Sequence, residues 1–183
     1  FSIFYSRQRK RKNVVSEFPV SWRKILDEKV VFYHNLPAEE KRRFENDIIR
    51  FISNVRVTGI RTELDITDKL LVASSAVIPV FGFPSWDYTF RDEVLLYPGT
   101  FDRQYAINSK EEFITGMVGS GGTMEGKMIL SKPALHQGFD NSTDKQNVGI
   151  HEFIHLLDKE DGSIDGIPAI LNGRSYAVPW LDL

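Results

Sequence analysis

The sequence predicts an α+β fold, and three observations carry that prediction. Helical periodicity comes first along the chain, short strand-like runs bounded by Pro and Gly come next, and an amphipathic helix follows them. No internal repeat or low-complexity linker divides the 183 residues. At 42% hydrophobic and 12% aromatic, the chain has apolar side chains for one sizeable core.

In chain order, Trp22 to Tyr33 reads as a short helix. A second helix starts at Pro37, where a fixed φ suits the first turn and Glu39 and Glu40 suit the positive end of the dipole. Phe44, Ile48, Ile52 and Val55 recur on one face, and the charge run Lys41, Arg42, Arg43, Glu45 reads as its solvated face. Thr62 to Thr67 alternates around Leu64 and Ile66 and predicts a strand. Thr67 or Asp68 then caps a buried helix through Leu70, Leu71 and Ala76. Pro79 to Phe90 reads as a packed loop, and Glu93 to Tyr97 as a strand closed by Pro98-Gly99. Glycine-rich Gly116 to Gly126 reads as a turn rather than a phosphate loop, since it lacks the G-x-x-x-x-G-K-[ST] spacing. Lys127 to Leu130 is the next strand.

Composition excludes several classes. The formal net charge of −2 gives no global field for nucleic acid. With no cysteine, there are no disulfides and no thiolate metal sites, so a metal must be held by His and carboxylate. The same absence fits a reducing compartment, and the expected location is cytoplasmic. Residues 1–18 form a basic tail ahead of a domain over 19–183. Within FSIFYSRQRKRKN the basic residues follow the short apolar run, the reverse of a secretory signal. One reading makes Arg7 to Lys12 the cytoplasmic flank of an upstream inner-membrane anchor; the other makes it a frayed tail.

Chemistry concentrates in NVGIHEFIHLLDKE, Asn147 to Glu160, which holds two of the four histidines. On a helix, positions i and i+4 share a face with Cβ atoms about 5–6 Å apart. His151 and His155 can therefore bind one zinc ion, while Glu152, one position round, is free to take a proton from its water. This division of labour makes H-E-x-x-H the mark of a zinc hydrolase. Val148, Phe153, Ile154, Leu156 and Leu157 keep apolar groups mainly off the histidine line, and only Gly149 weakens the helix.

A catalytic zinc takes a third protein ligand. Asp158 shares the face but lies about 10 Å along the axis from His151, so it suits an outer hydrogen-bonding role or the helix end. Asp161 occupies the third-histidine position of the metzincin template, but Asp158 replaces that template's glycine and no methionine follows. His136 and Asp165 are weaker candidates, as loop residues. Tyr88, Tyr97, Tyr105 and Tyr176 are all candidate oxyanion stabilisers, and nothing selects one.

HEFIHLLD and what precedes it resemble the Mlc titration factor A family of bacterial zinc metallopeptidases. TELDITDKLLVASSAVIPVFGFPSWDY, EVLLYPGTF, GKMILS and DGSIDGIPAIL resemble that family's segments in the same order, over roughly residues 36 to 180. The resemblance implies a zincin-like fold, His151 and His155 as zinc ligands, Glu152 as catalytic base, and peptidase activity, aminopeptidase-like in the best-known member. It also implies a third ligand from a glutamate on a later helix, expected beyond Leu183, so that the domain over 19–183 lacks its C-terminal helices. Lys132 stands where an aromatic is expected in relatives. Two functions follow. In the first, metal-activated water attacks a peptide carbonyl with Glu152 as general base, the substrate being a peptide or protein paired along the Lys127 to Leu130 strand if that strand is an edge. The alternative is a weak or inactive regulatory module that binds a partner such as a transcriptional repressor.

Overall fold

The computed structural model describes residues 17–83, 93–107, 113–119, 126–141 and 146–158. Their elements run α1 (Val20–Lys29), α2 (Val31–His34), α3 (Ala38–Asn54), β1 (Arg56–Gly59), α4 (Ile66–Val80), β2 (Glu93–Tyr97), β3 (Gly116–Val118), β4 (Lys127–Ser131), α5 (Lys132–Asp140) and α6 (Val148–Asp158). The fold is thus mixed α and β, as the periodicities predict. The basic tail lies, through residue 16, outside the described residues.

The sheet has the order β1-β2-β4-β3. β1, β2 and β4 are parallel, and β3 returns antiparallel on β4 as an edge. Strand side chains alternate between faces. Val94, Leu96, Met128 and Leu130 join the main core with Phe44, Ile48, Phe51, Leu70, Leu71 and Phe153. Leu95, Tyr97 and Ile129 face the opposite side, against Phe101. The helices that carry candidate chemistry therefore cover one face only.

Several expectations need correction. The first helix breaks at Val30, whose backbone is extended, giving α1 and α2. The run at Glu45 is not a solvated face. Glu45 is buried, receives Arg23 at 2.7 and 2.8 Å and the Tyr33 hydroxyl at 2.6 Å, and so locks α1 and α2 onto α3. No strand forms at Thr62 to Thr67. The strand is β1, upstream, and Asp65 caps α4. The Asp65 carboxylate accepts from the Asp68 amide at 3.0 Å, while the Asp68 carboxylate accepts from the Asp65 amide at 2.8 Å. This reciprocal box satisfies two helix-start amides and outcompetes the weak alternation around Leu64. Pro79 lies inside α4, in its last turn, where a missing amide removes a single internal hydrogen bond. Residues 84–90 of the expected loop lie outside the described residues. Helix α5 is an addition. It starts at the Ser131-Lys132-Pro133 step, with Pro in the first turn and the Ser131 hydroxyl accepting from the Ala134 amide at 3.4 Å. β4 is an interior strand, and the edge is β3.

Candidate metal centre

Helix α6 is held at its start and along its back. The Asn147 side chain accepts from the Ile150 amide at 3.0 Å and caps the start. Phe153 packs edge-on against Phe51 at 5.7 Å, fully buried. Burying such a side chain contributes roughly 1.5–3 kcal/mol. Gly149 is required where it stands: a Cβ there would collide with the Ser75 hydroxyl and lie 2.9 Å from Leu135 Cδ1. The helix-weakening residue is what lets α6 sit directly on α4.

The opposite face carries the histidines. His151 is exposed and His155 half-buried. Their rings meet edge-on at 4.4 Å, with the two Nε2 atoms 3.0 Å apart. Nitrogens facing each other at that distance share either one proton or one cation. Two zinc–nitrogen bonds of about 2.0–2.1 Å reach both from a single point, so the pair fits a shared zinc ion.

Glu152 is 92% buried, at 8% exposure, on the side of α6 that meets β3. A Cβ on Gly116 would lie 2.6 Å from Val148 Cγ2, 2.7 Å from Glu152 Cγ and 2.9 Å from Glu152 Oε1. The glutamate therefore stands directly against the edge strand. The Ser131 amide bonds the Thr115 carbonyl at 2.7 Å and the Gly119 amide bonds the Lys127 carbonyl at 2.8 Å. Gly116–Leu130 and Val118–Met128 are then the non-hydrogen-bonded pairs of this antiparallel ladder. The backbone N–H and C=O of Gly116 and Val118 consequently point away from β4.

The other candidates separate from this centre. Asp158 ends α6, buried, and its Oδ1 has no hydrogen-bond partner among the described residues. His136 is on α5, not in a loop, and its Nε2 lies 2.7 Å from Asp68 Oδ1. Lys132 completes that second cluster, donating to Asp68 Oδ2 and to the Glu63 carbonyl, each at 2.9 Å. Burial pushes the Asp68 carboxyl up. The hydrogen bonds from Lys132, His136 and the Asp65 amide outweigh it and hold the group below the usual carboxylate range. Lys132, which stands where an aromatic is expected in relatives, thus acts as a brace between α5 and α4. Tyr97 and Tyr105 belong to the sheet face away from α6, and burial pushes the Tyr97 phenol up. Tyr88, Tyr176, Asp161 and Asp165 lie outside the described residues. Among the described residues no group of three His, Cys, Asp or Glu side chains is placed to hold a metal ion. The sequence reading missed Gly116, whose signal was a glycine inside a run that also reads as strand.

Two imidazoles converging from one helix turn, with a buried glutamate beside them, form the pattern by which metal-dependent hydrolases are recognised. The chain belongs to the glucose-regulated metallo-peptidase M90 family, which matches residues 4–183. This is the Mlc titration factor A family that the segment order resembles. Membership carries a metallopeptidase-type function and a metal cofactor at the level of the family. A protein of Synechocystis sp. described as uncharacterized protein slr2042 is 27% identical over 164 residues, 86% of this chain and 59% of that protein. The chain thus spans less than two thirds of that relative.

Proposed function

We propose that this chain carries the zinc helix of a zincin-like peptidase, with His151 and His155 as ligands and Glu152 as general base. What supports the reading most is the 3.0 Å approach of the two Nε2 atoms beside a buried glutamate. Bound zinc would polarise the scissile carbonyl and lower the pKa of a water ligand to about 7. Glu152 takes the proton of the attacking water and returns it to the leaving amine. Its burial keeps bulk water from competing for that proton. The third ligand is the glutamate that the family resemblance implies. An extended peptide pairs with the outward backbone groups of Gly116 and Val118, which sets its carbonyls alongside Glu152. Whether the substrate is taken from its N-terminus, as in an aminopeptidase, is read from the cleavage products.

The test is zinc content and peptide hydrolysis on full-length wild type and Glu152→Gln. We expect near one equivalent of zinc in both, and hydrolysis lowered by about 10²–10⁴-fold in the variant, the range of general-base catalysis. His151→Ala and His155→Ala lose zinc. A zinc-loaded wild type that cleaves no member of a broad peptide library would sink the peptidase reading and favour the partner-binding alternative.

A further inference from the structure

Resting on that reading, we infer that Gly116 is a positioning residue: its missing side chain is the space that holds the Glu152 carboxylate against β3, the edge strand among the described residues. The positive-φ residues among those described are Arg61, Tyr105 and Gly126. Gly116 is therefore not a glycine for backbone freedom, since its own conformation suits any residue. Alanine would even be favoured there by strand propensity, because glycine weakens a strand interior. What excludes alanine is contact. The added carbon would lie 2.6 Å from Val148 Cγ2 and 2.7 and 2.9 Å from Glu152 Cγ and Oε1. Val148 and Glu152 are four residues apart, one turn of α6, so both face β3 together. Any side chain at 116 must either push β3 off α6 or turn the carboxylate away from the edge. Either motion separates the base from the peptide carbonyl that the edge presents. A misplacement of about 1 Å at a catalytic group lowers rate by as much as about 10²-fold.

Gly116→Ala is compared with Gly59→Ala on the full-length zinc-loaded protein. Gly59 is an equally tight glycine, its Cβ colliding with the Thr62 carbonyl, but it ends β1 at the far edge of the sheet. Gly116→Ala is expected to keep its zinc, lower kcat at least tenfold and change KM less than about threefold. Gly59→Ala lowers the melting temperature and leaves kcat within about threefold. A readout without metal or activity accompanies it: the Glu152 carboxyl carbon resonance of the metal-free protein, assigned through Glu152→Gln, moves in Gly116→Ala and stays in Gly59→Ala. If Gly116→Ala folds poorly, adding Val148→Ala removes the nearest methyl, and the double variant shows the same resonance shift and kcat loss. An unmoved resonance, or an unchanged kcat in zinc-loaded Gly116→Ala, overturns the inference. A shifted resonance in a protein whose wild type cleaves no peptide instead sinks the peptidase reading and leaves the contact standing.

Discussion

Replacing Asp68 by Asn is the sharpest test of how the helix layer is held. Asp68 is fully buried, and its two oxygens accept from the Asp65 amide, Lys132 and His136 at 2.7–2.9 Å. Asparagine keeps the shape but turns one acceptor into a donor, which then faces Lys132 or His136. Hydrogen bonds to charged groups contribute about 1.5–3 kcal/mol each. The helix-cap link adds about 1 kcal/mol. Lys132 and His136 keep 27% and 30% side-chain exposure, so they recover part of the loss from water. The net expectation is about 3 kcal/mol, or roughly 6–12 °C in Tm for a chain of this size. The deficit also has a defined pH dependence. The folded Asp68 carboxyl lies below its ordinary value. Its contribution is therefore present above the unfolded pKa of about 3.9 and lost as pH falls through the lower, folded value. Urea denaturation of wild type and Asp68→Asn at pH 7 and in steps below pH 4 should show curves that converge at the acid end. A loss under about 1 kcal/mol at pH 7, or a gap that stays constant into acid, would refute the claim that this carboxylate braces α5 on α4.

Gly149→Ala should destabilise the fold by about 1–3 kcal/mol through overpacking, despite alanine's better helix propensity; Ser75→Ala in the same chain should restore part of it, and additive losses in a double-mutant cycle would show that the two side chains do not meet. Asn147→Ala removes the cap of α6 and should cost about 1 kcal/mol in thermal denaturation; a change inside about 0.3 kcal/mol would mean that the Ile150 amide is satisfied elsewhere.

Much of this architecture was legible from pattern alone, and the failures share a physical cause. α3 was readable because Phe44 and Ile48 recur at 3.6-residue spacing and are fully buried. β2 and β4 were readable as apolar runs, and they are interior parallel strands, buried on both faces. The misread stretches are those where polar side chains decide the outcome. Asp65 and Asp68 start a helix where alternation suggested a strand, and Ser131 with Pro133 starts one where nothing periodic is visible. Glu45 sits on the charged side of α3 by composition, yet it is buried because Arg23 and Tyr33, 22 and 12 residues away, reach it. Such pairings are tertiary facts that no local window contains.

The candidate centre divides along the same line. The histidine pair was readable because its spacing is a property of one helix, and a helix imposes i, i+4 geometry wherever it forms. The surroundings of Glu152 were not readable, because they depend on which strand becomes the sheet edge. Lys127 to Leu130 looked suitable for pairing with a peptide, but β2 and β3 flank it on both sides. The edge passed to a three-residue strand that begins with glycine. That glycine has meaning only against α6, since the same residue opposite open space would read as a loop. The motif thus names the proposed ligands and base, while the close approach of β3 governs where the Glu152 side chain stands. A search for relatives by H-E-x-x-H alone therefore selects the two histidines and the glutamate without selecting their surroundings. In this chain the surroundings include Gly116, where an added Cβ would lie 2.7 Å from Glu152 Cγ.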